Sequence, residues 1–247
     1  MRGAVRLQFV FAMLTAISPG AIAGRAQNSP KEEAGFSSLF NGKDLTGWKY
    51  MPAPKESLEG KTETPDGRIA VRDGVILVNE KDRNGKGGIR DLFTVKEFNK
   101  EFILRMEFRA APRADSGVYL RSAGAQLQVR DYPTVGPYKP KSFRSGDWNE
   151  LEIIVKGTYA TTTVNGKALT GKDVLDLTVK DGKPSAALNG KDIDVTAIEV
   201  KTGALADCRC NGEVLDKAFK IPFKGGIGVQ AESGKFEFRN IRIRELN

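Results

Sequence analysis

From residue 36 onward the chain alternates between apolar and polar side chains. In residues 102–109, Phe102, Leu104, Met106 and Phe108 fall on one side and Ile103, Arg105, Glu107 and Arg109 on the other. A period of two marks a strand with one buried face, because successive side chains point to opposite sides of a sheet. The same reading turns Val118 and Leu120 inward in residues 117–121, with Tyr119 and Arg121 opposite. Residues 126–130 bury Leu127 and Val129 and present Gln126, Gln128 and Arg130; residues 228–232 set Gln230 and Glu232 against Val229 and Ala231. Leu151, Ile153 and Val155 share a further face. Between such runs lie Asn41-Gly42, Asp73-Gly74, Asn165-Gly166, Asn189-Gly190 and Asn211-Gly212. These pairs suit type I′ turns, whose two central residues need positive φ. Many short strands joined by tight turns predict an all-β sandwich.

The last strand changes phase. Phe236 and Phe238 are apolar at even positions, Ile241 and Ile243 at odd ones. One extra residue near Arg239-Asn240, a β-bulge, keeps all four on the core side. Residues 151–169, 175–193 and 197–215 also resemble one another, each reading as strand, glycine turn, strand, Asn-Gly turn, strand. This spacing fits either a repeat or successive hairpins of one sheet.

The first 35 residues follow a different grammar. Arg2 and Arg6 precede an apolar run of 11, residues 7–17, which is too short to span a bilayer. Pro19-Gly20 and the small residues of Ala21-Ile22-Ala23 complete the pattern of a secretory signal over 1–23, followed by a polar tether over 24–35. The expected mature protein is therefore secreted or periplasmic in a bacterium, with no transmembrane segment once the signal is removed. The domain itself is expected over 36–247.

Charge and composition then narrow the chemistry. The chain has 247 residues and a formal charge of +8. The basic residues are dispersed, and no helix-turn-helix, RNP or zinc-finger pattern accompanies them, so a nucleic-acid partner is not expected. Histidine is absent. That excludes Ser-His-Asp and Cys-His catalysis and histidine-ligated metals. Acid–base work must fall to carboxylates, lysine, tyrosine, cysteine or a bound metal. Cys208 and Cys210 are too few for a disulfide scaffold or a complete zinc site, and an inert pair is expected. The glycine-rich NGKGG at 84–88 lacks the context of a phosphate loop and reads as a loop beside a cleft. Trp48 and Trp148 are expected to fill the core rather than to stack on a ligand.

From Phe36 a family resemblance is carried by spaced motifs. FSSLFNGKDLTGW (36–48), DGVI (73–76), FILRMEFR (102–109), DSGVYLR (115–121), QLQVRD (126–131), GDWN (146–149) and GGIGVQAESGKFEFRNIRIREL (225–246) occur in order. Together they are similar to the 3-keto-disaccharide hydrolase domain family, over roughly 36–246. Asp115 stands where the family usually has Asn, Gln126 where many members have Glu, and Glu232 where some have His. The resemblance implies an antiparallel jelly-roll β-sandwich of the concanavalin A-like lectin and glucanase type. It also implies a hairpin insertion near 160–205.

The resemblance further implies an exported carbohydrate-active hydrolase that cleaves a 3-keto-disaccharide or 3-keto-glycoside. A C3 ketone acidifies C2–H, so a base can form an enolate that expels the C1 substituent before water adds. Such a site needs a base, a group that stabilises the enolate oxygen, and positioning groups. Asp131 and Glu232 are the expected bases or metal ligands, with Glu107 third, and Arg121 is expected at the enolate. Gln128, Tyr119, Gln126 and Gln230 are expected to bind the carbohydrate. No cofactor is certain; oxygen ligands would suit a divalent cation such as calcium or magnesium, but no loop signature fixes one. The alternative on the same fold is a non-catalytic carbohydrate-binding or envelope module.

Overall fold

The computed structural model describes residues 33–51, 53, 55–131, 140–180 and 183–247. The expected signal and most of the tether lie outside the described residues. No helix among those described is long and apolar enough to cross a membrane.

Two antiparallel sheets face each other. The larger has nine strands. Its members are β1 (Ser37–Ser38), β3 (Ile69–Arg72), β4 (Val75–Val78), β6 (Phe102–Ala110), β9 (Asn149–Val164), β10 (Lys167–Ala168), β14 (Ile198–Cys210), β15 (Glu213–Ile221) and β17 (Phe236–Glu245). Their order is β15-β14-β9-β6-β17-β4-β3, with β1 also on β17 and β10 on β9. The smaller sheet has the order β2-β5-β16-β7-β8. These strands are β2 (Trp48–Met51), β5 (Arg90–Thr94), β7 (Asp115–Leu120), β8 (Gln126–Arg130) and β16 (Ile227–Ala231). The architecture is the all-β jelly-roll sandwich that the alternation and the resemblance implied.

The core lies between the sheets. Phe102, Leu104, Met106 and Phe108 of β6, Leu151, Ile153 and Val155 of β9, and Phe236, Phe238, Ile241 and Ile243 of β17 project from one side. Trp48, Leu92, Val118, Leu120, Leu127, Val129, Ile227 and Val229 meet them from the other. Burying each large apolar side chain contributes about 1.5–3 kcal/mol, so the alternation fixes which face of each strand turns inward. The phase change in β17 is resolved as expected. Its register against β6 shifts between Arg239 and Arg242, and Asn240 takes φ 53°, so both pairs of apolar residues reach the core.

Four of the five expected turns have the type I′ signature: Asp73, Asn165, Asn189 and Asn211 have φ of 49–53° and are each followed by a positive-φ glycine. Asn41 differs, because its side chain accepts from the Lys43 and Asp44 amides and so forms an Asx turn.

The internal similarity does not produce three equal hairpins. β9 runs through Gly157 and β14 through Gly203 without turning, and their pairing shifts register between Ala204 and Ala206. Gly157 therefore marks an irregularity in a long strand rather than a turn. Only the middle segment folds separately, as a three-stranded sheet of β11 (Leu175–Lys180), β12 (Lys183–Leu188) and β13 (Lys191–Ile193). This arm leaves Leu177 and Val179 exposed. Cys208 and Cys210 share the inward face of β14 as free, buried thiols; burial pushes both up, Cys210 to about 12, and away from thiolate chemistry. Trp48 is in the core, but Trp148 is not. Its ring lies on the outer face of the larger sheet beneath the Arg239 and Arg109 guanidinium groups, at 3.8 and 4.8 Å.

Candidate active site on the five-stranded sheet

The outward positions of the smaller sheet form rows across its strands. Gln230 of β16 lies opposite Asp91 of β5. Gly117 of β7 lies opposite Gln128 of β8, and Tyr119 opposite both Gly228 and Gln126. Asp115 lies opposite Arg130. Two glycines make room for this face. A Cβ on Gly117 would fall 2.1 Å from Gln126 Nε2, and one on Gly228 would fall 2.8 Å from the Phe93 ring. The Gln126 side chain and the Phe93 ring therefore lie flat across their neighbours, and Phe93 stacks on Tyr119 with centroids 5.1 Å apart.

Hydrogen bonds run along the row. Arg130 pairs with Asp115 at 2.9 Å. The same guanidinium donates twice to Gln128 Oε1, at 2.9 and 2.6 Å. Gln128 Nε2 donates to Gln126 Oε1 at 3.1 Å, and Gln126 Nε2 to Gln230 Oε1 at 2.6 Å. Beyond Gln230, the Tyr119 hydroxyl donates to Asp91 Oδ1 at 3.0 Å.

Two carboxyls on this face are held toward the neutral form. Burial pushes Asp91 up, partly offset by the Tyr119 hydrogen bond. Burial likewise raises Glu232; the Asp115 charge adds to the effect and Arg130 opposes it. Tyr119 is raised strongly by burial and by Asp91, so its phenol stays protonated and remains a donor. Beneath Glu232 lies Arg68, almost fully buried. Its guanidinium donates to the Glu232 carbonyl at 2.7 Å and to the Gly88 carbonyl at 3.2 Å. The glycine-rich 84–88 segment is thereby tied to the backbone that carries Glu232.

Of the residues expected from the sequence, Tyr119, Gln126, Gln128, Gln230 and Glu232 come together here. Three do not. Arg121 was expected beside Tyr119, but it takes φ 68° at the end of β7, which breaks the alternation. It is buried, bonded to the carbonyls of Pro222 at 3.1 Å and of Lys100, with its guanidinium 5.2 Å from the Phe102 ring centroid. Its burial lowers the guanidinium's affinity for its proton, and its position is structural. Asp131 lies beyond the end of β8 and accepts from the Arg113 amide at 3.1 Å, holding the turn before β7. Glu107 is on the outer face of the opposite sheet, paired with Arg239 at 2.7 Å and with Asn240 Nδ2 at 2.9 Å. Among the described residues no three Cys, Asp or Glu side chains converge as a cation site would need.

Asp91 and Phe93 escaped the sequence reading. Phe93 is apolar on the polar face of β5, so residues 89–95 show no clean period. The signal that identifies them is pairing with β16, which only the fold supplies.

The chain is similar to several solved structures at low identity. A Parabacteroides distasonis ATCC 8503 protein described as a candidate glycosyl hydrolase is 19% identical, with 86% of this chain and 94% of that one covered and a TM-score of 0.44. A carbohydrate-binding module, CBM66, from Bacillus subtilis is 12% identical over 85% and 96% of the two chains, with a TM-score of 0.31. A Bacillus licheniformis beta-glucanase is 9% identical over 90% and 97%, with a TM-score of 0.33. No curated protein matches the chain. The model of one family matches residues 35–244, and the chain belongs to that family, the 3-keto-alpha-glucoside-1,2-lyase-like domain.

Proposed function

We propose that the protein is an exported enzyme that cleaves a 3-keto-glycoside at the outer face of its five-stranded sheet. Family membership supports a carbohydrate-active role. The pattern of residues 1–23 supports export. The observation that carries the chemistry is the meeting, on one face, of two carboxyls raised by burial with an arginine-anchored row of amides. Raised carboxyls are suited to proton transfer near neutral pH.

Glu232 is the base in this reading. Asp91 is already occupied as the acceptor of the Tyr119 hydroxyl. The Glu232 carboxylate removes the C2 proton, and the electron pair moves into the C2–C3 bond and onto the ketone oxygen. Amide N–H groups and the positive field of Arg130 stabilise that oxygen. The enolate then re-forms the ketone and expels the C1 oxygen, which takes up a proton. Water adds to the resulting C1–C2 double bond, giving net hydrolysis. Tyr119, Asp91 and Phe93 shape and orient the face.

The test is to incubate the purified protein with a 3-keto-glucoside, with and without EDTA, and to follow sugar release. Release that Glu232→Gln abolishes is expected. No release under any metal condition, with affinity for the sugar retained, would overturn the enzyme reading in favour of a binding module. Gln126, an amide where many family members carry a carboxylate, is the feature that favours this second reading.

A further inference from the structure

We propose that Gln128 is a dedicated N–H donor that reads the carbonyl oxygen of the ligand, and that Arg130 is the positioning residue that locks its orientation. The inference rests on the site described above and names how that site distinguishes a keto-sugar from the parent sugar.

A glutamine amide can face a ligand with either its oxygen or its nitrogen, and nothing local decides which. Here the arginine at one end of the row decides. Arg130 has only donors, so the Gln128 group turned toward it must be the carbonyl. That leaves the Gln128 nitrogen to meet the Gln126 carbonyl, and the Gln126 nitrogen to meet the Gln230 carbonyl. At the far end the Tyr119 hydroxyl gives its one proton to Asp91, so toward Gln230 it can only accept. A donor-only cation thus imposes one direction on three amides, and the Tyr119–Asp91 pair beyond them is compatible with it. Arg130 is in turn held by Asp115, itself almost completely buried.

The direction has a chemical consequence. Gln128 Oε1 already accepts two hydrogen bonds from Arg130, which uses both of its lone pairs. One Gln128 N–H goes to Gln126, and the second remains. Gln230 is buried, whereas Gln128 is partly exposed. Gln128 therefore offers a ligand a donor and no acceptor. A ketone or enolate oxygen satisfies such a group fully, and the interaction strengthens as negative charge develops on that oxygen. A hydroxyl at the same position must send its own proton elsewhere.

The test compares binding of methyl 3-keto-α-glucoside and methyl α-glucoside to the full chain by calorimetry, alongside sugar release. The wild type is expected to prefer the keto-sugar. Gln128→Glu keeps two acceptors for Arg130 but removes the donor. It is expected to lose at least about 10-fold of the keto preference and about 10²–10³-fold of kcat/KM, the usual effect of deleting one oxyanion donor. Gln128→Met, similar in length and without either group, serves as a second variant should the first fold poorly, and is expected to act in the same direction. No preference in the wild type would overturn the inference. So would a preference unchanged in both variants, or equal loss of affinity for both sugars. Preference without sugar release would support the donor role while defeating the cleavage reading. Release with unchanged preference in the variants would defeat the donor role alone.

Discussion

On the outer face of the nine-stranded sheet, arginines meet carboxylates nearly one for one: Arg105 with Glu33 and Glu152, Arg109 with Glu237, Arg239 with Glu107, and Arg242 with Glu33 and Glu150. On the outer face of the five-stranded sheet one such pair, Arg130 with Asp115, leads into three amides, a phenol and a carboxyl. Both faces alternate in the same way along the chain. They differ in what lies across from each charge. Those arginines of the larger sheet each face a carboxylate, whereas Asp91 and Glu232, partly buried without a full counter-charge, are pushed toward neutrality. A polar face becomes chemically useful where its charges are left incompletely matched.

The strongest way to break this contrast is at Glu232. Glu232→Gln keeps the shape and removes the base, so kcat should fall about 10²–10⁴-fold with little change in Tm. An unchanged kcat would remove the distinction between the two faces. Next is Arg121, which lies inside the sandwich although the alternation placed it on the outer face. Arg121→Ala strands the Pro222 and Lys100 carbonyls and opens a cavity, at a cost of about 2–4 kcal/mol of stability. Denaturant unfolding should show this loss, and kcat of the folded fraction should be retained.

A pH profile then sharpens the comparison. The base works when ionised, so kcat/KM should fall as pH drops through the raised pKa of Glu232, above the usual glutamate range. Asp115 contributes a like charge to that rise, so Asp115→Asn should move the acid limb to lower pH. A limb that stays put, or moves upward, would mean that Asp115 does not act on the base. The smallest effect belongs to the opposite face. Glu107→Gln should cost about 1 kcal/mol or less and leave the pH profile unaltered.

Much of the fold could be read from alternation because burial of one strand face is a local, periodic property. The bulge between Phe238 and Ile241 was legible for the same reason: four apolar residues had to share one side of β17. The amides of the site were legible through their strands. Arg121 was not, since a single positive φ at a strand end turned it inward. Asp131 and Glu107 were misplaced because alternation assigns a side chain to an outer face but not to one of two outer faces, and it stops applying where a strand ends. Asp91 depends on the pairing of β5 with β16, more than a hundred residues apart in sequence, and no local pattern encodes such pairing.

The hydrogen bonding of β1 to β17 has an engineering consequence. Ser37 and Ser38 lie beside Ile243 and Arg242, so the beginning and end of the domain meet on one sheet. A short linker can join them, and the chain can be reopened at the exposed Asn189-Gly190 turn of the arm, in a sheet separate from the one that carries the amide row. Such a circular permutant moves the break in the polypeptide onto the arm and makes the order of the strands in sequence a free variable, while every pairing that builds the candidate site is kept.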